Sequence, residues 1–222
     1  MRYITTGIAV LVLFLASGSS SSADVIGIVD ANVLLAAPAS VQEGALESDD
    51  VFQVFAEMQD VFLTSDLRVN VNQPGDYGCG CDPLPFPVPK IKAGTQVDSY
   101  LVHADPVTRG IGYFGILFFD TRILGVIFGG TLLAESDPML GAPGTLYPTL
   151  PDNRGLAIQN TMGDFISISP DRHAIFVDFI TRRNFDQMRI ITAAQVPEPA
   201  TLSLVGGGLA AAVIRRRRSR KG

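Results

Sequence analysis

The chain is 222 residues long, 47% apolar and 18% charged, with 22 glycines, 14 prolines, two cysteines and no tryptophan. That length and apolar content suit one folded domain with short accessory segments and exclude a charge-rich disordered chain. With both terminal segments set aside, 10 cations face 21 anions between residues 24 and 195, a net charge of −11. A surface this acidic repels phosphate backbones and argues against nucleic acid as a partner; its plainest use is solubility.

In chain order, Met1-Arg2-Tyr3 carries a cation, Ile8 to Ala16 is an apolar core, and Ser21-Ser22-Ala23 offers small residues before Asp24. Residues 1–23 therefore read as a secretory signal peptide cut after Ala23, a substrate for the Sec translocon and signal peptidase. No cysteine lies near the cut, which excludes an acylated lipoprotein. Residues 24–195 follow as the mature domain.

Asp24 to Pro38 is apolar and β-branched and predicts one strand or a pair. Ser40 to Asp50 reads as a loop. Val51 to Leu63 alternates well enough to predict a hairpin turning at Gln59-Asp60. Leu67 to Asn72 alternates cleanly, one face buried and one wet. Gln73 to Pro89, rich in Pro and Gly and holding both cysteines, predicts a long surface loop.

Lys90 to His103 and Thr108 to Phe119 read as strands, with Tyr113 to Phe119 apolar enough for burial on both faces. Ile123 to Phe128 is a further strand stopped by Gly129-Gly130, and Leu132-Leu133-Ala134 reads as its extension. The glycines and the polar break within 111–133 argue against a helix there. Ser136 to Gly155 reads as loop. Four short strands are expected at 155–158, 164–169, 174–179 and 187–191, with a Pro-containing turn over 169–173. So many short strands, with no clear amphipathic helix and no internal repeat, predict an all-β fold: an antiparallel β-sandwich of jelly-roll type.

Residues 196–222 form a separate segment. Pro197-Glu198-Pro199 prevents a helix from running back into the domain. Ala200 to Ile214 is uncharged and contains three consecutive glycines; as a helix it reaches roughly 22 Å. That is short of a hydrocarbon core of about 30 Å, so it would span only with bilayer thinning and snorkelling. Arg215, Arg216, Arg217, Arg218, Arg220 and Lys221 follow as a stop-transfer cluster that stays cytoplasmic and leaves the domain outside. The order of Pro-Glu-Pro, short glycine-rich span and Arg cluster over Val196 to Gly222 resembles the PEP-CTERM sorting signal. That resemblance implies recognition by an exosortase, cleavage near Pro197, Glu198 and Pro199, and release or transfer to the cell envelope, often beside exopolysaccharide. An uncut tail anchor is the plain alternative.

A looser likeness joins Glu47-Ser48-Asp49, Val54 to Glu57, Gly94-Thr95, Ser99 to His103, Ile123 to Ile127, Leu140 to Thr145 and Phe185 to Ile190. These segments resemble a β-rich domain carried by many bacterial PEP-CTERM proteins, a group that implies no assigned activity. The closing Asp186-Gln187-Met188-Arg189-Ile190 is also similar to the last strand of sugar-binding jelly rolls, where Asp186 and Arg189 would tie that strand to a neighbour.

The chemistry-bearing residues are few. Cys79-Gly80-Cys81 is expected to form a local disulfide in an oxidising exterior, with metal thiolates or free thiols as alternatives. His103 has Asp105 nearby and His173 has Asp171, but no Gly-x-Ser-x-Gly elbow accompanies them. Glu57 points into an otherwise apolar face; Asp120, Asp178 and Asp186 lie near strand ends. A carboxylate pair would serve glycoside hydrolysis, or would hold calcium through oxygen ligands, although no EF-hand spacing exists. No cofactor is otherwise expected, and the metal is unknown. Sugar binding would need exposed rings, for which Tyr77, Tyr100, Tyr113 and Tyr147 are the candidates.

The expectation is a non-enzymatic, exported surface or matrix protein. It would be anchored transiently in the inner membrane, processed by an exosortase, and structural or adhesive beside exopolysaccharide. A carbohydrate-binding jelly roll and a polysaccharide-active enzyme are the alternatives.

Overall fold

The computed structural model describes residues 25–78, 85, 87–108, 110–151, 154–158, 163–181 and 185–195. The expected signal peptide at 1–23, the cysteines Cys79 and Cys81, and the whole segment 196–222 lie outside them. Among the described residues no helix is long and apolar enough to cross a membrane.

The first strand, β1 (Val25–Val29), runs into β2 (Ala31–Leu34) through Asp30 at φ 53°. Asp tolerates this left-handed corner better than a β-branched residue would. The corner sends the two halves of one apolar run into different sheets. β1 pairs antiparallel with β9 (Ile111–Phe119), while β2 pairs parallel with β3 (Phe52–Ala56).

One sheet has the order β1-β9-β12-β11-β6, with β12 at Ala174–Thr181, β11 at Phe165–Ile168 and β6 at Gly75–Gly78. The other has the order β10-β13-β8-β3-β2, with β10 at Ile123–Ile127, β13 at Asp186–Ala193 and β8 at Gln96–Ala104. β4 (Val61–Phe62) also pairs with β8, and β5 (Leu67–Arg68) pairs with β7 (Lys90–Ile91) in a small third sheet.

The two large sheets stack over one core. Phe52, Val54, Tyr100, Val102 and Ile190 from one meet Leu117, Phe119, Ile166, Val177 and Phe179 from the other. Aromatic pairs cross the gap: Phe52 and Phe179 are 5.7 Å apart edge to face, and Tyr100 and Phe119 are 5.2 Å apart. The second sheet is buried on its other face too. There Leu63, Val97, Ile127 and Ile191 lie under Leu132, Leu133 and Leu140, and Phe55 and Leu101 lie under Val41 and Ala142.

Several local expectations are corrected. Residues 51–63 form no hairpin, because Ala56 pairs with Tyr100 and Val61 with Val97, so β3 and β4 continue along the same strand β8. Asp60 takes φ 57° in a bulge between them, and its N–H donates to Asp98 at 2.6 Å; the residues that favour a turn favour a bulge as well. The expected loop 73–89 contains the edge strand β6, anchored by buried Tyr77. Gly78, at φ 129°, admits this close pairing, since a Cβ there would stand 2.3 Å from the Asp164 carbonyl oxygen. β9 is buried on one face only, with Phe114 58% exposed.

The largest correction is α1 (Gly130–Leu140), a helix where a strand extension and a loop were expected. Leu132, Leu133, Ser136 and Leu140 are buried at helical spacing, and the glycines that argued against helix fall before its first turn or at its start. Gly130 must be glycine because Pro151 and Arg154 close on it, leaving the Pro151 oxygen 1.9 Å from where a Cβ would sit. The strand expected at 155–158 is reduced to a Gly129–Gly155 bridge.

Candidate functional site

The most developed polar arrangement lies between the outer face of the second sheet and α1. Alternation along β13 turns Met188 and Ile190 into the sandwich core and Arg189 outward, where α1 covers it. Arg189 is fully buried. Its Nε donates to Glu57 Oε2 at 2.6 Å and its Nη2 to Glu57 Oε1 at 2.7 Å, the two-pronged geometry that guanidinium offers a carboxylate. Nη2 also donates to Asp137 at 2.9 Å, and Nη1 donates to the Leu133 carbonyl at 3.3 Å and to Ser136 Oγ.

Glu57 is saturated by two further donors, Ser99 Oγ at 2.7 Å and the Tyr147 hydroxyl at 2.6 Å. Asp137 in turn accepts from Arg154 at 2.6 Å. Both guanidinium groups lie 5.8 Å from the centre of the Tyr147 ring. The network therefore holds two cations against two anions. Burial opposes the charge of Arg189, but Glu57 and then Asp137 outweigh it and hold that guanidinium above its usual range. Tyr147 is pushed up by burial and then by the Glu57 charge, so it remains a neutral donor.

A second cluster surrounds His103. Gln187 Nε2 donates to the Val41 carbonyl at 2.8 Å and stands 2.9 Å from His103 Nδ1. The other ring nitrogen, His103 Nε2, faces Asp105 at 3.7 Å without a hydrogen bond. Asp105 accepts instead from the Gly44 N–H at 2.6 Å. His103 is thus an interior residue. His173 contacts the Phe119 carbonyl at 3.1 Å. Among the described residues no serine hydroxyl is bonded to either histidine, so no Ser-His-Asp site is assembled.

The other carboxylates named from the sequence stay apart. Asp120 accepts from Gln195, and Asp178 stands at the Phe114 position on the outer face of the first sheet. Asp186 is half-buried at the start of β13, where desolvation and then the Asp164 charge push it up to about 8. Its Oδ2 has no hydrogen-bond partner. Of the expected Asp186 and Arg189 ties, the Arg189 one forms. Among the described residues no three His, Cys, Asp or Glu side chains gather as a metal ion would require. Tyr77, Tyr100 and Tyr113 are buried and Tyr147 is half-buried within the network, so none is a sugar platform.

Sequence reasoning found Glu57 and Arg189 but not Ser99, Ser136, Asp137 or Arg154. A cation inside the apolar run from Met188 to Ile191 was the available signal that a buried partner existed. The partners on α1 were hidden by the reading of 136–155 as loop.

Beyond β13, the model of the PEP-CTERM protein-sorting motif matches residues 195–218. The chain carries a PEP-CTERM sorting motif. The match includes Pro197, Glu198, Pro199 and Arg215 to Arg218, while Arg220 and Lys221 lie past it. This motif implies an exported precursor that transits a membrane and is processed by an exosortase. Searches of curated proteins and of solved structures each found no match to the chain.

Two outcomes are expected from the buried groups. Glu57→Ala strands Arg189 without its main partner and should cost about 3–5 kcal/mol in urea unfolding, whereas Glu57→Leu with Arg189→Met should recover most of that loss. Asp186, raised from 3.8 to about 8, binds a proton more tightly when folded. Its contribution is therefore full below about pH 4 and is lost as pH rises toward about 8. Asp186→Asn should raise the melting temperature at about pH 9 by roughly 5 °C or more and flatten the profile between about pH 5 and 9. An unchanged profile would count against the buried protonated carboxyl.

Proposed function

We propose that the chain is the precursor of a cell-surface or extracellular-matrix protein. The Sec translocon exports it and signal peptidase removes residues 1–23. Ala200 to Ile214 holds it briefly in the inner membrane, with Arg215, Arg216, Arg217, Arg218, Arg220 and Lys221 on the cytoplasmic side. An exosortase then processes it at Pro197, Glu198 and Pro199. Residues 24–195 act as a structural or adhesive domain beside exopolysaccharide, a jelly-roll-like sandwich that needs no cofactor and no catalytic activity. The observation that carries this reading is the sorting motif beginning at residue 195, immediately behind the last strand. A non-catalytic role is supported by the way Glu57, Arg189 and Gln187 are engaged by internal partners.

A carbohydrate-binding domain is the second reading, favoured by the outer face of the first sheet. Phe114 and Phe118 are 58% and 39% exposed there, on the same side of β9 and about 13 Å apart along the strand. Phenylalanine faces offer sugars an apolar stacking surface even without tryptophan.

The main reading is tested by the intact mass of the protein from its own host with and without the exosortase gene. The expected product lacks residues 1–23 and ends near Pro197 to Pro199 only when the enzyme is present; a segment retained to Gly222 in both strains would reject it. For the second reading, Phe114→Ala with Phe118→Ala should weaken retention on the host polysaccharide in affinity electrophoresis by roughly tenfold, as loss of stacking worth about 1.4 kcal/mol gives. Equal migration of both forms would remove it.

A further inference from the structure

The last strand passes into the sorting motif without a spacer. At the end of β13, the Ala193 N–H donates to the Arg122 carbonyl at 2.9 Å and the Ala194 N–H to the Gln96 carbonyl at 3.2 Å. The Gln195 side chain donates to Asp120. Thr192 is buried and Ala193, Ala194 and Gln195 are each half-buried, so this stretch is part of the folded surface. Pro197 follows only two residues after Gln195. At about 3.3 Å per residue, three residues of chain reach about 10 Å at most.

A processing enzyme that takes its substrate as an extended strand uses the main-chain donors and acceptors of residues on either side of the cut. Here the donors of Ala193 and Ala194 are already engaged by the domain. A proline also disfavours helical backbone at the residue before it, which gives the chain little slack ahead of the motif. The domain end and the enzyme therefore compete for the same residues.

Resting on the sorting reading of this motif, we propose that processing at Pro197-Glu198-Pro199 is gated by the peeling of Ala193–Gln195 from Gln96, Asp120 and Arg122. Each hydrogen bond given up lowers the cut-competent fraction by a factor of roughly 2 to 10. The rate of processing is then set by how readily this strand end opens, a low-stability event of the kind that strand termini undergo.

The test is a time course of processing in the native host, followed by intact mass. It compares the unaltered chain, Gln195→Ala, Asp120→Ala, and a chain with a flexible spacer of about five Gly and Ser residues after Gln195. The spacer should accelerate cutting several-fold, and each single substitution by roughly 2- to 10-fold, with no added gain when the spacer is also present. The spacer leaves all three bonds in place, so a folding defect at Asp120 does not cloud the comparison. Unaltered chain cut at the same rate with or without the spacer overturns the gate alone. Slower cutting with the spacer also overturns it, by showing that the enzyme grips the domain end. An unaltered chain that is never cut removes the sorting reading, and the gate with it.

Discussion

Arg189 places a full positive charge in a sheet whose two faces are both covered, and a charge persists there only when its partners are fixed and saturated. Glu57 supplies them through the bulge that follows β3, Asp137 and Ser136 through α1, and Tyr147 through the loop that returns from the helix. One guanidinium thus joins four stretches of chain that are distant in sequence. An apolar patch would tolerate sliding of the helix over the sheet. A two-pronged Arg–Glu pair does not, because a shift of an ångström or two breaks both bonds and leaves both charges desolvated.

The helix shows why such a fixture is needed. It has 11 residues, no side-chain N-cap, no acidic residue in its first turn and no basic residue in its last, and Pro138 removes a backbone donor from its end. A helix of this length has little stability of its own. Its position follows from Leu132, Leu133 and Leu140 on the sheet together with the ionic contacts of Ser136 and Asp137.

Strand content was legible because alternation and apolar runs are local properties. Leu67, Val69 and Val71 are buried as their period predicts, and β8, β9, β12 and β13 fall where apolar runs lie. What was not legible depends on partners distant in the chain. Asp60 has the same local chemistry in a bulge as in a hairpin, and only pairing of both flanking strands with β8 separates the two. Gly78 and Gly130 looked like breakers, yet each marks a close backbone approach by Asp164 or Pro151. The sorting motif was legible from sequence over the residues that its model matches, because its parts are read in order by composition rather than by a fold.

Charge is divided unevenly along the strands, and this bears on the end that carries the motif. Glu47, Asp49, Asp50, Asp105, Asp164 and Asp186 precede or follow strands at the Ala104 end of β8, where burial and then the charges of Asp49, Asp105, Asp186 and Asp50 hold Tyr113 above its usual range. At the Gln96 end, Asp60, Asp66, Asp120 and Asp171 are interspersed with Lys90, Lys92, Arg122 and Arg172. The length of β13 separates the two ends by roughly 25 Å, more than twice the screening length of about 10 Å in ordinary salt. Val25, paired with Phe119, and Gln195, bonded to Asp120, both leave from the balanced end. Gln195 therefore leaves the domain from an end where acidic and basic side chains alternate, and not from the end where the carboxylates gather.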